Sequence, residues 1–140
     1  VAARGLEKIK TIGDAYMCAG GLYPDDDPVV AASRVVNLGV ELFDLLDAVI
    51  ARYDVALGLR VGIHSGPLIG GVIGTRRLAY DVWGDTVNVA SRMESQGLVG
   101  HVQLSQATHD LLAIDLPFEA RPGLDVKGVG AMDTWVLKVR

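Results

Sequence analysis

The chain has 140 residues, half of them hydrophobic, and this length supplies one core but falls short of what two domains usually need. A net charge of −4 and a pI near 5.2 argue against a general nucleic-acid binder, which normally carries a basic face. The single cysteine, Cys18, excludes an intrachain disulfide, so a reducing compartment fits best. Because no apolar run reaches the length of a membrane span and no signal-peptide pattern opens the chain, we expect a soluble, cytoplasmic segment without membrane contact. Membrane attachment of the rest of the protein stays open.

The first third of the chain predicts a β-hairpin followed by a long helix. Residues 6–12 alternate in polarity and stop at the turn-forming pair Gly13-Asp14, and residues 15–20 predict the returning strand. Asp27 and Pro28 then make a typical helix start, because aspartate caps free amides and proline fits the first helical position. The helix has a predicted buried stripe with three-and-four spacing, made of Val35, Val36, Gly39, Leu42, Phe43, Leu46, Val49 and Ile50.

The rest of the chain predicts short strands interleaved with helices. The predicted elements are a second hairpin over 59–63 and 68–73, a helix over 85–94, a strand over 102–104, a short helix capped by Ser105 and reaching residue 113, and a final hairpin over 124–127 and 134–139. This order favours a single α+β domain with helices packed on a sheet. Such a fold class does not by itself name a function.

Two longer segments carry more specific information. Residues 7–17 have the sequence EKIKTIGDAYM, and residues 80–95 have the sequence YDVWGDTVNVASRMES. The segment RVGIHSG lies between them at residues 60–66, and VKG follows at residues 126–128. In this order and spacing they resemble the signature segments of the class III adenylyl and guanylyl cyclases over essentially the whole chain. The resemblance implies a ferredoxin-like, mixed and largely antiparallel sheet with helices packed on it.

The resemblance also implies a boundary within the domain. In the family, the catalytic domain begins with a strand that bears a metal-binding aspartate and continues through two helices, all of which we expect before Val1. Residues 1–140 would then be the C-terminal two-thirds of a single cyclase catalytic domain, without one of its two metal aspartates.

The reaction implied by the resemblance converts ATP into 3',5'-cyclic AMP and pyrophosphate through attack of the ribose 3'-oxygen on the α-phosphorus. Charge builds on phosphate oxygens in the transition state, so the site needs divalent cations, fixed cationic donors and tight positioning. Hard oxygen ligands suit Mg²⁺ or Mn²⁺, and Asp14 matches the family's second metal carboxylate. Spacing alone would make Asp14 a turn residue, because Gly-Asp pairs favour turns.

Lys10 and Asp81 occupy the positions that the resemblance assigns to base recognition. Adenine has a donating amino group and accepting ring nitrogens, so a carboxylate and an ammonium group complement it. Guanylyl cyclases carry glutamate and cysteine at these two positions, so the residues present favour ATP. Considered alone, Lys10 would be interpreted as an exposed strand lysine and Asp81 as a surface cap.

Four further residues match family positions around the ribose and the phosphates. Asn88 and Arg92 lie four residues apart, hence on one face of the predicted helix, and the implied roles are to hold the ribose and to donate to the phosphorane. Lys127 matches a lysine that contacts the triphosphate, although Val129 occupies the place where a second lysine often follows. For Arg76, beside a glycine-rich turn, phosphate contact and plain exposure to solvent are both open.

Other polar residues are expected to be structural. Residues 25–27 form an acidic run that we expect to face water. We assign no catalytic role to His64, His101 or His109, and we expect Cys18 to act as a small core hydrophobe.

Three hypotheses of different classes follow from these observations. The first is an adenylate cyclase that works as a homodimer, because in the family the base-reading lysine and the metal aspartate of one site come from opposite chains. The second is a non-catalytic nucleotide-binding or regulatory domain, which the missing aspartate favours. The third is a ferredoxin-like interaction module such as an RNA binder, which the negative charge and an aromatic content of 6% disfavour.

Overall fold

The computed structural model describes residues 5–73 and 79–140, and within them the chain forms three sheets and three helices. In chain order the elements are β1 (Glu7–Ile12), β2 (Ala15–Ala19), α1 (Pro28–Tyr53), β3 (Val61–Ile63), β4 (Ile69–Ile73), β5 (Ala79–Trp83), α2 (Asp85–Ser95), β6 (His101–Ser105), α3 (Gln106–Leu111), β7 (Glu119–Val126) and β8 (Gly130–Lys138). The predicted α+β class is confirmed. Over the described ranges, no helix combines the length and the apolar character that crossing a membrane requires.

The first hairpin forms where local turn chemistry predicts it. Strands β1 and β2 pair antiparallel, with Ile12 opposite Ala15 and Gly13-Asp14 at the tip. Gly13 has a φ of 59°, a left-handed conformation that glycine adopts without a steric penalty. Because the turn is this short, Asp14 is held at the exposed end of the hairpin.

Helix α1 begins as predicted but buries a different part of its apolar stripe. The Oδ1 atom of Asp27 accepts a hydrogen bond from the Val29 amide at 2.9 Å, and Pro28 is the first helical residue. Val36 and Phe43 are buried as predicted, whereas Val49 is 41% exposed. The deeply buried positions end near Phe43, because the later turns of the helix lie beyond the core that the sheet provides; the buried helical residues are Ala32, Val36, Leu38, Gly39 and Phe43.

The main sheet has four strands in the order β3-β6-β8-β7. Strand β3 runs parallel to β6, while β8 pairs antiparallel with both β6 and β7. The final hairpin is confirmed and is longer than predicted. Helix α1 packs on one face of this sheet and forms the principal core, which consists of Val36, Phe43, Ile63, Val102, Leu104 and Leu137.

The predicted second hairpin is wrong. Strand β3 does not pair with β4; it pairs with β6, and β4 pairs antiparallel with β5, a strand that the sequence did not predict. The physical reason is burial, because pairing with β6 places Ile63 beside the fully buried Leu104. Turn residues at 65–67 set where the chain bends, but they do not decide which strand β3 joins.

Helix α2 lies against the other face of the sheet at one glycine. A Cβ atom built on Gly62 of β3 would lie 2.0 Å from the Glu94 amide nitrogen and 2.5 Å from the Met93 carbonyl carbon. Only a residue without a side chain leaves room for the backbone of α2 at this point. Met93 is fully buried beside Val89 and Val126, and this smaller cluster holds the helix in place.

Replacing Gly62 with alanine should therefore push α2 away from β3. We expect Gly62→Ala to lower the free energy of unfolding by about 3 kcal/mol or more, at or above the usual range for overpacking, because the obstacle is backbone. Urea unfolding followed by circular dichroism measures the change. Ser91→Ala, at an exposed position of the same helix, is the control and should change stability by less than about 0.5 kcal/mol. Equal stabilities for the two variants would contradict this account of the contact.

Candidate functional site

The residues implicated by the sequence lie on several different elements. Lys10 lies in β1, and Asp14 lies at the tip of the same hairpin. Asp81 lies in β5, opposite Gly71 of β4, and its side chain is outside the described part of the structure, as is the whole of Arg76. Strands β1 and β5 contact each other, so the structure brings together the two strands that carry Lys10 and Asp81.

Helix α2 presents Asn88 and Arg92 away from the core. The buried residues Val89 and Met93 face the sheet and the β7 strand, whereas Asn88 is exposed and Arg92 is half-buried. This division of the helix is the one its spacing predicts. Among the side chains that the structure describes, none accepts a hydrogen bond from the Arg92 guanidinium or forms an ion pair with it.

Lys127 follows directly after β7 in an exposed turn. Its backbone amide donates a hydrogen bond of 3.1 Å to the side-chain oxygen of Gln96, the residue that caps the C-terminus of α2. Lys127 is thereby tied to the helix that carries Arg92, although the two residues are 35 positions apart in the chain. Lys127 and Arg92, two of the predicted phosphate-binding residues, are thus connected through α2, which carries Arg92 and whose C-terminal cap bonds Lys127.

Three polar residues that the sequence did not implicate hold this part of the structure together. Gln103 is fully buried in β6; its Nε2 atom donates to the Met93 carbonyl at 3.1 Å, and its Oε1 atom accepts from Arg121 Nη1 at 2.7 Å. The same Arg121 nitrogen donates to the carbonyl of Gln96 at 2.9 Å. One signal was available in the sequence, because Gln103 stands between the apolar residues Val102 and Leu104 of a predicted strand.

His64 belongs to a polar cluster at the end of β3. Its Nδ1 atom shares a 2.6 Å hydrogen bond with Ser105 Oγ, and Ser65 Oγ shares one of 2.9 Å with Thr108 Oγ1. Burial lowers the pKa of His64 below the ordinary value of 6.5, because the charged imidazolium loses hydration. Two residues after Ser65, the carbonyl of Pro67 accepts a hydrogen bond from the hydroxyl of Thr86, which lies in the first turn of α2. The cluster therefore ties the end of β3 to the end of β6 and to the start of α3.

This pKa shift predicts a pH-dependent stability. As pH falls below 6.5, the unfolded chain takes up a proton at His64 before the folded chain does, so the stability contribution is complete above that pH and declines as pH falls towards the folded pKa. The measurement is the free energy of unfolding between pH 8 and pH 5. His64→Asn should show a smaller decline than the wild type, because asparagine takes up no proton in this pH range. A wild-type slope in His64→Asn would show that His64 is not responsible.

The carboxylates of the described residues supply one candidate metal ligand in the expected place. Asp14 is exposed and offers the hard oxygen atoms that Mg²⁺ and Mn²⁺ prefer. Across the described ranges no group of three or more His, Cys, Asp or Glu side chains is placed to hold an ion, so Asp14 does not make a metal site by itself. Asp26 and Asp27 serve local structure, because they accept hydrogen bonds from the amides of Tyr23 and Val29.

The comparisons with known proteins define the family. The family model of the adenylate and guanylate cyclase catalytic domain matches residues 1–139. The germination-specific adenylate cyclase of Dictyostelium discoideum is 46% identical over 97% of this chain, and an adenylate cyclase of Mycobacterium bovis is 42% identical over 98%. The chain spans 16% and 30% of the lengths of these two relatives. The chain belongs to the family of class III adenylyl and guanylyl cyclase catalytic domains.

Solved structures agree on the fold. The guanylate cyclase domain of Catenaria anguillulae, solved with GTP, has a TM-score of 0.86 and 33% identity over 99% of this chain and 76% of its own. The catalytic core of a rhodopsin-guanylyl cyclase with converted specificity, solved with ATPαS, has a TM-score of 0.85 and 34% identity over 99% of this chain and 74% of its own. The predicted class III cyclase fold is confirmed, and domains of this fold hold either guanine or adenine nucleotides.

Proposed function

We propose that this chain is the substrate-binding and catalytic part of an adenylate cyclase, which converts ATP into 3',5'-cyclic AMP and pyrophosphate. The observation that carries the choice of ATP is the pair Lys10 and Asp81, on two strands that contact each other. An ammonium donor and a carboxylate acceptor complement the edge of adenine, whereas guanine presents the opposite pattern. The names of the two relatives described above point in the same direction.

Arg92 is the proposed donor to the transition state. Negative charge develops on the phosphate oxygens as the 3'-oxygen attacks, and a preorganised guanidinium stabilises it more than it stabilises the ground state. Arg92 is half-buried and lies on the same face of α2 as Asn88, which places its guanidinium beside the proposed ribose contact. Asn88, one helical turn earlier, is proposed to orient the ribose, and Lys127 to bind the triphosphate.

A divalent metal is proposed to complete the site. Cyclases of this class use divalent metals, and Mg²⁺ or Mn²⁺ would neutralise charge on the phosphates when bound. In this chain, Asp14 would contribute one carboxylate to it. We propose further that two copies of the chain pair about a two-fold axis, so that Lys10 of one copy and Asp14 of the other serve the same nucleotide.

Replacing Arg92 tests the proposed chemistry. We expect Arg92→Ala in the full-length protein to lower kcat for cyclic AMP formation by about a hundredfold to a thousandfold, the usual cost of losing one transition-state donor, with little change in nucleotide binding. Arg52→Ala removes an arginine from an exposed position at the end of α1 and is the matched control. If Arg92→Ala turned over ATP at the control's rate, Arg92 would have no part in the reaction.

Reversing the base-reading pair tests the choice of ATP. Lys10→Glu combined with Asp81→Cys should sharply weaken use of ATP and admit some GTP, because each mismatched polar group left buried costs about 1 to 3 kcal/mol. Each single change should impair both substrates. A complete switch is not expected, since the surrounding pocket is shaped for adenine.

The measurement is the ratio of kcat/KM for ATP to that for GTP, in protein shown by circular dichroism to be folded. An unchanged ratio would remove the main support for ATP. A wild-type protein that binds ATP but forms no cyclic nucleotide with either metal would favour a non-catalytic nucleotide-binding domain instead.

A further inference from the structure

The side chain of Gln96 forms hydrogen bonds with the peptide groups on both sides of the buried Val126. Its Nε2 atom donates to the Asp125 carbonyl at 2.7 Å, and its Oε1 atom accepts from the Lys127 amide at 3.1 Å. Between these two peptide groups lies Val126, which is 1% exposed and packs in the cluster with Met93. The end of β7 is therefore fixed to α2 by two directional bonds and one apolar contact.

The backbone of Gln96 is held from the sheet as well. Its carbonyl accepts from Arg121 Nη1 at 2.9 Å, and Arg121 is in turn bound to the buried Gln103, whose amide donates to the Met93 carbonyl. The last carbonyls of a helix have no partners within the helix, and here side chains from β6 and β7 satisfy two of them. The final turn of α2, which includes Arg92, consequently has little freedom to shift against the sheet.

We propose that Gln96 is a positioning residue that sets Lys127 relative to Arg92. The proposal rests on the proposed function, which assigns these two cations to one triphosphate. Lys127 lies in an exposed turn directly after β7. The two hydrogen bonds from Gln96 fix the peptide groups on either side of Val126, the last residue of that strand. A shift of about 1 Å in a group that positions substrate is enough to cost about a hundredfold in rate. The side-chain amide of Gln96 supplies both the donor for Asp125 and the acceptor for Lys127.

The test uses inorganic tripolyphosphate, which has no base or ribose and requires no turnover. Calorimetry on the full-length protein compares the wild type with Gln96→Ala, Lys127→Ala and the double variant. We expect Lys127→Ala to weaken binding by about tenfold and Gln96→Ala by about three- to tenfold, since losing a charge costs more than displacing it. The double variant should bind no more weakly than Lys127→Ala, because Gln96 acts through Lys127.

Gln106→Ala is the matched control. Gln106 also makes two side-chain hydrogen bonds at a helix terminus, donating to Asp110 and accepting from Trp135, but it lies on α3, outside the proposed site. The Gln106→Ala variant should lose about as much stability as Gln96→Ala, and its affinity for tripolyphosphate should stay within about twofold of the wild type. Gln96→Met, which is neutral and of similar length but lacks both the donor and the acceptor, should weaken binding as Gln96→Ala does and covers the case in which Gln96→Ala fails to fold.

Each outcome separates the two proposals. If Lys127→Ala weakens binding and Gln96→Ala behaves like Gln106→Ala, or if the effects of Gln96→Ala and Lys127→Ala add in full, the positioning role is overturned. If Lys127→Ala itself has no effect, the triphosphate role of Lys127 and the positioning role of Gln96 both fail. If the binding results are as expected but no cyclic AMP forms from ATP, only the proposed reaction is wrong.

Discussion

The contact between α2 and β3 at Gly62 is the constraint on which the candidate site depends. Because this glycine lets the backbone of the helix approach the strand directly, the last turn of α2 sits close enough for side chains of β6 and β7 to reach its carbonyls. Asn88 and Arg92 lie on a different face of the same helix from the buried Val89 and Met93. Whatever moves α2 from the sheet would therefore disturb the core and the proposed catalytic face together.

The buried polar network above this contact gives the sheet its register. Gln103 has its amide donor and its carbonyl acceptor satisfied, by Met93 and by Arg121, and Thr134 of β8 donates to the carbonyl of Arg121 at 3.1 Å. A one-residue slip of β6 would turn Gln103 towards α1 and bring Leu104 under α2, leaving buried polar groups without partners. Apolar residues would fill the same space but would not distinguish the correct register from a slipped one.

The proposed site draws on three separate sheets, which fits a reaction that depends on positioning. Lys10 and Asp14 belong to the first hairpin, Asp81 to the β4-β5 pair, and Lys127 to the end of the main sheet. Helix α2 follows immediately after β5 and contacts the main sheet, so it joins the strand that carries Asp81 to the sheet that ends at Lys127. In the proposed function, ATP would span the junction between these parts, so that groups from all three sheets would position it.

Local preferences in the sequence determined the elements whose causes lie within a few residues. Gly13-Asp14 placed the first turn, Asp27-Pro28 placed the start of α1, and the spacing of Val89 and Met93 turned Asn88 and Arg92 outward. The family signature, together with these elements, was enough to identify the fold and the candidate residues. Tertiary structure alone decided that β3 pairs with β6 and not with β4, and that Gln96, Gln103 and Arg121 join α2 to the sheet. The partners in those contacts are 10 to 41 residues apart, so the burial that selects them exists only once the chain has packed.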